Sequence, residues 1–252
     1  NNYSTDESSD LIRLIRKSKY KLRDITYCKT FDDYLEMGKS KYNVTYLPVA
    51  KKGMDVISEK LQQENIYIPI SYDFDEIKTN LQILAKKLDV KDDNYDIQIK
   101  KAKERLKKAK DIIKDTPIAI DYTFTPATIS LAMLLLDFGF NVKKIFIDSI
   151  TEKEKLIALK EKYSSKDIML YPTVNVSMRV IDRKEKDRYL ALGQKAAYFV
   201  GTNNFVNEVE CGGHYGFDGI IKLSDNMIDA FNNEKDTATL IQKKGLGCDC
   251  LI

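Results

Sequence analysis

The segment Gly212–Gly219, with the sequence GGHYGFDG, combines residue types that could bind a ligand. An amphipathic helical pattern follows it, with Ile220, Leu223 and Met227 on one face. Backbone N–H groups at the start of a helix have no partner within the helix, so we expect an anion site at the helix end near Gly216. The segment lacks the order of a dinucleotide fingerprint and the Gly-Lys-Ser/Thr ending of a P-loop. The alternative is that its glycines only allow a tight turn onto a sheet.

Two side chains in or beside this segment could take part in chemistry. His214 is the one histidine of the chain, so any catalytic triad with an imidazole base must use it. Cys211 borders the loop and is the cysteine best placed to face a ligand or a metal ion. The alternatives are a structural loop histidine and a small buried thiol, and we expect the latter role for Cys28. Cys248 and Cys250 lie at the extreme C-terminus, where a four-ligand zinc cage is hard to build.

A second loop is selected by its position in the predicted fold. Tyr122 and Thr123 follow a predicted strand over 118–120, and ligands of parallel sheets bind at the carboxyl ends of strands. A pair of catalytic carboxylates has no comparable support. Asp73, Asp75 and Glu76 cluster at a predicted helix start, where acidic side chains complement the helix dipole.

The elements that must position these loops alternate along the chain. Predicted strands cover 25–27, 44–47, 66–70, 118–120, 142–147, 168–171 and 196–200. Predicted helices cover 11–15, 31–37, 53–61, 73–88, 126–136 and 152–163, with another around Tyr189 and Leu192 and one after residue 219. This alternation predicts an α/β fold of two Rossmann-like, parallel-sheet domains flanked by helices. We expect a polar tail over 1–10, a partial α/β domain over 11–93, a charged linking helix over 94–115, and a second α/β domain over 116–252 that ends in C-terminal helices.

Composition excludes several classes of protein. The chain has 252 residues, with 41 basic and 38 acidic side chains and a net charge of +3, which argues against a dedicated nucleic-acid binder. No apolar run reaches the ~18–20 residues of a membrane span. The cysteine spacing indicates a reducing cytoplasm rather than a disulfide framework. Because the sequence opens without Met or an apolar signal core, we expect an excised or processed piece of a longer protein.

The segment 187–207 and its continuation through 212–220 resemble the nitrogenase component 1 family of oxidoreductases. A weaker, collinear resemblance runs from Tyr42 to the C-terminus. Family members have three α/β domains with a metallocofactor between them, and this chain resembles the second and third. The family's first domain, which holds the cysteines of a bridging iron–sulfur cluster, has no counterpart here. Nucleotide-sugar glycosyltransferases also combine two Rossmann-like domains with a Gly-rich loop, but the loop at 122–126 offers no basic side chain for a diphosphate.

The resemblance implies an oxidoreductase subunit that receives electrons from an ATP-dependent iron–sulfur reductase and pairs with a paralogous component 1-like subunit. The family's cofactor-ligating cysteine would fall near Leu47, and its histidine at Tyr215, one place from His214. We therefore expect a substrate other than N₂ and no cluster held by nitrogenase-type ligands in this chain, although the full-length protein could hold an iron–sulfur cluster. The loops expected to line the pocket contain Gly212, Gly213, His214, Tyr215, Gly216, Tyr122 and Thr123. The alternative is a non-catalytic scaffold or a cofactor-assembly module, and in either case we expect this piece alone to be inactive.

Overall fold

A computed structural model describes residues 4–91, 93–149, 151–181, 187–237 and 239–240. The chain divides into two compact units, and each is described by itself. The first unit is Asn1–Lys100 with Gly212–Gly219, and the second is Lys101–Cys211 with Ile220–Ile252. The glycine-rich segment therefore belongs to the first unit, although the whole sheet of the second unit precedes it in the sequence.

The first unit is built on a short parallel sheet with helices around it. Its elements are α1 (Asp10–Lys17), α2 (Phe31–Glu36), β1 (Tyr42–Thr45), α3 (Lys51–Leu61), β2 (Glu64–Tyr67) and α4 (Phe74–Leu88). Strands β1 and β2 pair in parallel, with Val44 opposite Ile66. Side-chain caps fix two helix starts, because Thr30 accepts from the Asp33 N–H and Asp73 from the N–H groups of residues 75 and 76. The predicted helix over 73–88 is confirmed, and its apolar residues at helical spacing, Ile77, Leu81, Leu84 and Leu88, are all buried.

Three expectations for the first unit were wrong. Residues Ile25–Tyr27 form a 3₁₀ turn instead of a strand, because the Asp24 side chain accepts from the Thr26 N–H and closes the chain locally. Cys28 is only half-buried. The expected polar tail of residues 1–10 ends in two buried residues, since Ser9 caps α1 and Asp10 is 1% exposed.

Helix α5 (Asp96–Ile113) contains the point at which the two units divide. Its apolar residues at helical spacing, Ala102, Leu106, Ala109 and Ile113, are fully buried. Ile97, near the start of the helix, is exposed. The predicted long helix thus forms with one buried face and a charged remainder, as its composition indicates.

The second unit contains a five-stranded parallel sheet in the order β5-β4-β3-β6-β7. Its strands are β3 (Pro117–Asp121), β4 (Asn141–Ile147), β5 (Met169–Pro172), β6 (Leu190–Leu192) and β7 (Phe205–Val206). Its helices are α6 (Thr128–Asp137), α7 (Lys153–Lys162), α8 (Gln194–Val200) and α9 (Gly216–Asn232), the last starting within the first unit's segment. Phe146 stacks on Phe199 at a ring distance of 4.9 Å, joining the sheet to α8. The predicted α/β class with parallel sheets flanked by helices is confirmed.

Two adjacent elements were predicted in reverse. Residues 190–192 form a strand where the sequence predicted a helix, and 194–200 form a helix where it predicted a strand. Both segments are apolar and short, so periodicity does not separate the two states. The sheet decides, because Leu190 and Leu192 lie fully buried beside β3 and leave the next segment to cover the sheet. None of the described helices is long and apolar enough to span a membrane.

Candidate functional site

The backbone N–H groups at the N-terminus of α9 donate hydrogen bonds to a carboxylate of the chain itself. Asp10 Oδ2 accepts from the Phe217 N–H at 2.6 Å and from the Asp218 N–H at 3.2 Å. Gly216 has φ +82°, and a Cβ there would lie 2.4 Å from Asp10 Oδ2. The N–H groups expected to hold an external anion are therefore already satisfied. The predicted anion site at this helix end is filled from within the first unit.

Arg13 compensates the buried charge of Asp10. Its guanidinium donates to Asp10 Oδ1 and, at 2.8 Å, to Asp218 Oδ2. The Asp10 side chain is 1% exposed, so without a cation and the helix dipole its ionised form would carry a desolvation cost of several kcal/mol, on the order found for buried ions. Asp10, Arg13 and the start of α9 thus form one hydrogen-bonded cluster, here called the Asp10 cluster.

The remaining loop residues pack against the N-terminal segment of the same unit. The Asp6 N–H donates to the Gly213 carbonyl at 2.9 Å, and a Cβ on Gly213 would lie 2.1 Å from the Ser4 carbonyl oxygen. Gly212 and Gly213 both have positive φ. His214 Nδ1 lies 3.7 Å from Asp6 Oδ2. The positive φ angles of both glycines and the close approach at Gly213 favour the interpretation that the glycines allow a tight turn.

Tyr215 occupies the core of the first unit. Its ring lies 5.5 Å from that of Tyr46, and the residue is 2% exposed. Burial raises the pKa of the Tyr215 hydroxyl well above its usual range, against a lowering effect of Asn80. The phenol therefore stays protonated at neutral pH in this apolar environment. Phe217 lies beside Tyr95, with 5.7 Å between the ring centroids, so the loop contributes core side chains as well as backbone.

In the second unit, Asp121 lies at the carboxyl end of β3, where strand order reverses between β3 and β6. Its Oδ1 accepts from the Thr123 N–H at 2.7 Å and the Phe124 N–H at 3.1 Å, and its Oδ2 accepts from the Ala196 N–H at 2.7 Å. A Cβ on Gly193, at φ +106°, would lie 2.3 Å from Asp121 Oδ2. Ligands of open α/β sheets bind at this reversal of strand order. Here a fully buried carboxylate fills it.

Burial raises the pKa of the Asp121 carboxyl, while the hydrogen bonds from Thr123, Ala196 and Phe124 act in the opposite direction. Asp121 was not among the site residues predicted from the sequence. The available signal was an aspartate directly after a buried strand and two residues before a threonine, a spacing typical of a side chain that bonds the backbone two residues on.

Tyr122, Thr123 and Cys211 come together in the second unit. Lys195 Nζ donates to the Tyr122 hydroxyl and lies 4.4 Å from the centroid of its ring. The Thr123 carbonyl accepts from the Glu210 N–H at 2.9 Å, and the Cys211 N–H donates to the Phe124 carbonyl at 2.6 Å. Cys211 is 4% exposed. Lys195, the cation beside the loop, was missed because nothing in its local sequence distinguishes it from other surface lysines.

The described residues do not fit a nitrogenase-type metallocofactor. Leu47 is buried and has no donor atom, and Tyr215 places a buried phenol where the resemblance places a histidine ligand. Among the described residues, no group of three or more His, Cys, Asp or Glu side chains could hold a metal ion. Cys248 and Cys250 lie outside the described residues.

Comparison with known proteins finds a likeness of fold. No protein-family model and no curated protein matches the sequence. A solved chain described as "Nitrogenase Cp1 at pH 6.5" is similar with a TM-score of 0.52 and 12% identity, over 84% of this chain and 48% of that one. A second, "Nitrogenase Cp1 at pH 5", has a TM-score of 0.48 and 15% identity, over 88% of this chain and 53% of that one. The chain spans about half the length of these structures, and the likeness supports a nitrogenase component 1-like fold.

Proposed function

We propose that the chain is a non-catalytic, nitrogenase component 1-like module that binds a partner protein. The observation that carries the proposal is that carboxylates of the chain occupy both predicted ligand-binding positions. In the first unit, the Asp10 carboxylate accepts hydrogen bonds from the backbone N–H groups at the start of α9. In the second unit, the Asp121 carboxylate accepts hydrogen bonds from the backbone N–H groups of Thr123 and Ala196. An external anion would have to displace a buried, hydrogen-bonded carboxylate of like charge at either position.

An exposed apolar surface on the first unit supports the proposal that a partner protein binds there. Phe31, Tyr34 and Leu35 of α2 are 71%, 50% and 52% exposed. Leu61 of α3 is 49% exposed, and its Cδ1 lies 3.8 Å from the Cβ position of Gly38, just after α2. A contiguous patch of exposed apolar side chains is typical of a protein-interaction surface, whereas single exposed apolar side chains occur on most proteins. A paralogous component 1-like subunit is the partner that the fold suggests.

The test measures metal content and assembly together. The full-length protein, purified without oxygen, is assayed for iron and acid-labile sulfide, and its mass is measured by light scattering with and without the paralogous subunit. We expect a folded protein without iron or sulfide that forms a complex. Phe31→Ser with Leu35→Ser should abolish the complex, whereas Ile97→Ser, an equally exposed apolar site on α5, should leave it intact. Failure of the wild-type protein to associate would contradict the proposal.

The second candidate is a redox subunit, and the likeness of fold to nitrogenase Cp1 over 84% of this chain favours it. In this case the full-length protein would take electrons from an ATP-dependent iron–sulfur reductase and reduce a substrate other than N₂. His214 or Cys211 would be the proton donor. Stoichiometric iron and sulfide, together with ATP-dependent oxidation of the reductase, would favour this candidate over the module.

A further inference from the structure

The first unit contains a cavity of about 410 Å³ that the proposed function does not use. It lies along β1, and residues from 20–25 and 39–46 form much of its wall. Binding sites for small organic molecules fall between about 300 and 1,000 Å³, so the cavity has the capacity for such a ligand. All of its lining residues belong to the first unit.

The floor of this cavity is apolar. Leu11, Ile12 and Ile15 of α1 and Leu88 of α4 line it, and each of them is at most 7% exposed. Such a surface is stabilised by contact with an apolar body, at about 25 cal/mol per Å² of area removed from water. The floor therefore selects a ligand with a hydrocarbon portion.

The rim of the cavity is cationic. Lys21, Arg23, Lys39 and Lys41 line it, and Asp24 is the acidic residue among the described lining residues. Glu36, just outside the lining, pairs with Lys39 and, at 3.8 Å, with Arg23, so the positive charge of the rim that no described ion pair offsets comes from Lys21 and Lys41. The Asp24 carboxylate is engaged locally, because it accepts from the Thr26 N–H at 2.9 Å and from the Thr26 hydroxyl at 2.7 Å. The excess of positive charge favours an anionic group on the ligand.

Two tyrosines provide an aromatic wall. The rings of Tyr20 and Tyr42 meet edge to face at 5.1 Å, and Lys41 Nζ lies 5.6 and 4.9 Å from their centroids. Hydrogen bonding with Tyr42 and Lys41 lowers the pKa of the Tyr20 hydroxyl, and the charges of Lys41 and Lys19 act in the same direction. An aromatic ligand can pack on these rings with its anionic group towards the lysines.

A buried donor in the wall lacks an acceptor. Asn43 is one of the residues that line the cavity, and its side-chain Nδ2, which is shielded from solvent, has no hydrogen-bond partner among the described residues. Buried amide groups of this kind are rare in folded proteins because each costs free energy. A carboxylate oxygen of a ligand would supply the missing acceptor once the Asn43 amide nitrogen, which has almost no accessible surface in this conformation, turns towards the cavity.

We infer that this cavity binds an aromatic carboxylate, with its ring system on the apolar floor and its carboxylate between the cationic rim and the Asn43 amide. The inference is independent of whether the chain binds a partner or belongs to a redox enzyme. It requires only the charge, shape and polarity of the first unit.

The experiment compares 1-naphthoate with 1-naphthamide, its neutral isostere, by calorimetric titration of the full chain. We expect naphthoate to bind at one site at least about tenfold more tightly than naphthamide, and higher salt to reduce this preference. Inorganic phosphate, which has no apolar body, should not displace naphthoate. Equal affinity for the two aromatic probes, or displacement by phosphate, would overturn the inference.

Two variants locate the site. Lys21→Gln with Arg23→Gln should weaken naphthoate binding about tenfold, as expected for two partly exposed charge contacts, and leave naphthamide unchanged. Lys107→Gln with Lys108→Gln, on exposed positions of α5, removes the same charge elsewhere and should have no effect. Unchanged naphthoate binding in the rim variant would overturn the assignment to this cavity.

Asn43→Asp nearly preserves shape and places a negative charge in the wall. It should lower naphthoate affinity by more than about tenfold through like-charge repulsion, with naphthamide affinity retained as evidence that the cavity is intact. Asn203→Asp, the same substitution at an exposed position of the second unit, is the matched control. An equal effect of both substitutions would overturn the inference.

Discussion

Replacing Asp10 tests whether its carboxylate fills an anion site at the start of α9. Asp10→Ala removes the acceptor of two backbone N–H groups, at 2.6 and 3.2 Å, and leaves Arg13 with Asp218 as its partner in this cluster. Hydrogen bonds to charged groups contribute about 1.5–3 kcal/mol each, so the two lost bonds contribute about 3–6 kcal/mol. Because Arg13 is 32% exposed and keeps Asp218 as a partner, it is not left as a buried, unpaired charge, and we expect a loss in the lower part of this range, about 3–5 kcal/mol.

The assay is amide hydrogen exchange at Phe217 and Asp218. A chain of two units need not unfold in a single step, so a local measurement is more specific than a global melting temperature. Protection at these amides should fall by the equivalent of about 3–5 kcal/mol in Asp10→Ala. Asp225→Ala removes a half-exposed ion pair with Arg105 from the same helix and should cost less than about 1 kcal/mol.

Anion rescue gives the decisive result. If the Asp10 carboxylate occupies an anion site, formate added to Asp10→Ala should restore protection at Phe217 and Asp218, and the wild-type chain should not respond. A loss of protection below about 0.5 kcal/mol would refute the reasoning, because a surface substitution produces as much. Loss without rescue by formate would refute the anion-site geometry, since the vacated N–H groups would then not accept a carboxylate.

Three further predictions concern the loops. Gly216→Ala places a Cβ 2.4 Å from Asp10 Oδ2 at φ +82° and should cost at least about 1–2 kcal/mol by urea unfolding, whereas Gly53→Ala, with nothing within 4 Å in α3, should stabilise the chain by up to about 1 kcal/mol. Burial raises the pKa of Asp121 in the folded chain. The contribution of Asp121 to the free energy of unfolding is therefore complete below about pH 4, near the pKa of an unfolded aspartate, and is lost as the pH rises through the pKa of Asp121 in the folded chain. The unfolding free energy of wild type minus that of Asp121→Asn should thus decrease with rising pH, and an increase would contradict the direction of the shift. Lys195→Met should lower stability by about 0.5–2 kcal/mol through loss of the contact with Tyr122, and Tyr122→Phe tested with it in a double-mutant cycle should give a coupling of the same sign.

Much of the fold follows from local signals. Thr30 and Asp73 cap the helices that their types and positions predict, and the stripe from Ile77 to Leu88 is buried as its spacing predicts. Caps and periodicity act within one or two turns of the chain, so a single sequence contains them in full. Where the local signal is ambiguous, as in the short apolar segments at 190–192 and 194–200, the sheet determines the structure and the predictions are wrong.

The amino-acid sequence alone predicts a glycine-rich loop that leads into a helix and a second loop that follows a buried strand. The tertiary structure alone decided what bonds to each. Asp10 and Phe217 are 207 residues apart, and Asp121 and Ala196 are 75 apart, so no spacing rule links either pair. A helix N-terminus binds whichever acceptor the fold brings within about 3 Å, and the sequence pattern is the same for a ligand's anion and for a carboxylate of the chain itself. Tertiary packing places the carboxylates of Asp10 and Asp121 at the two expected ligand sites, and both sites are therefore internal hydrogen-bonded clusters.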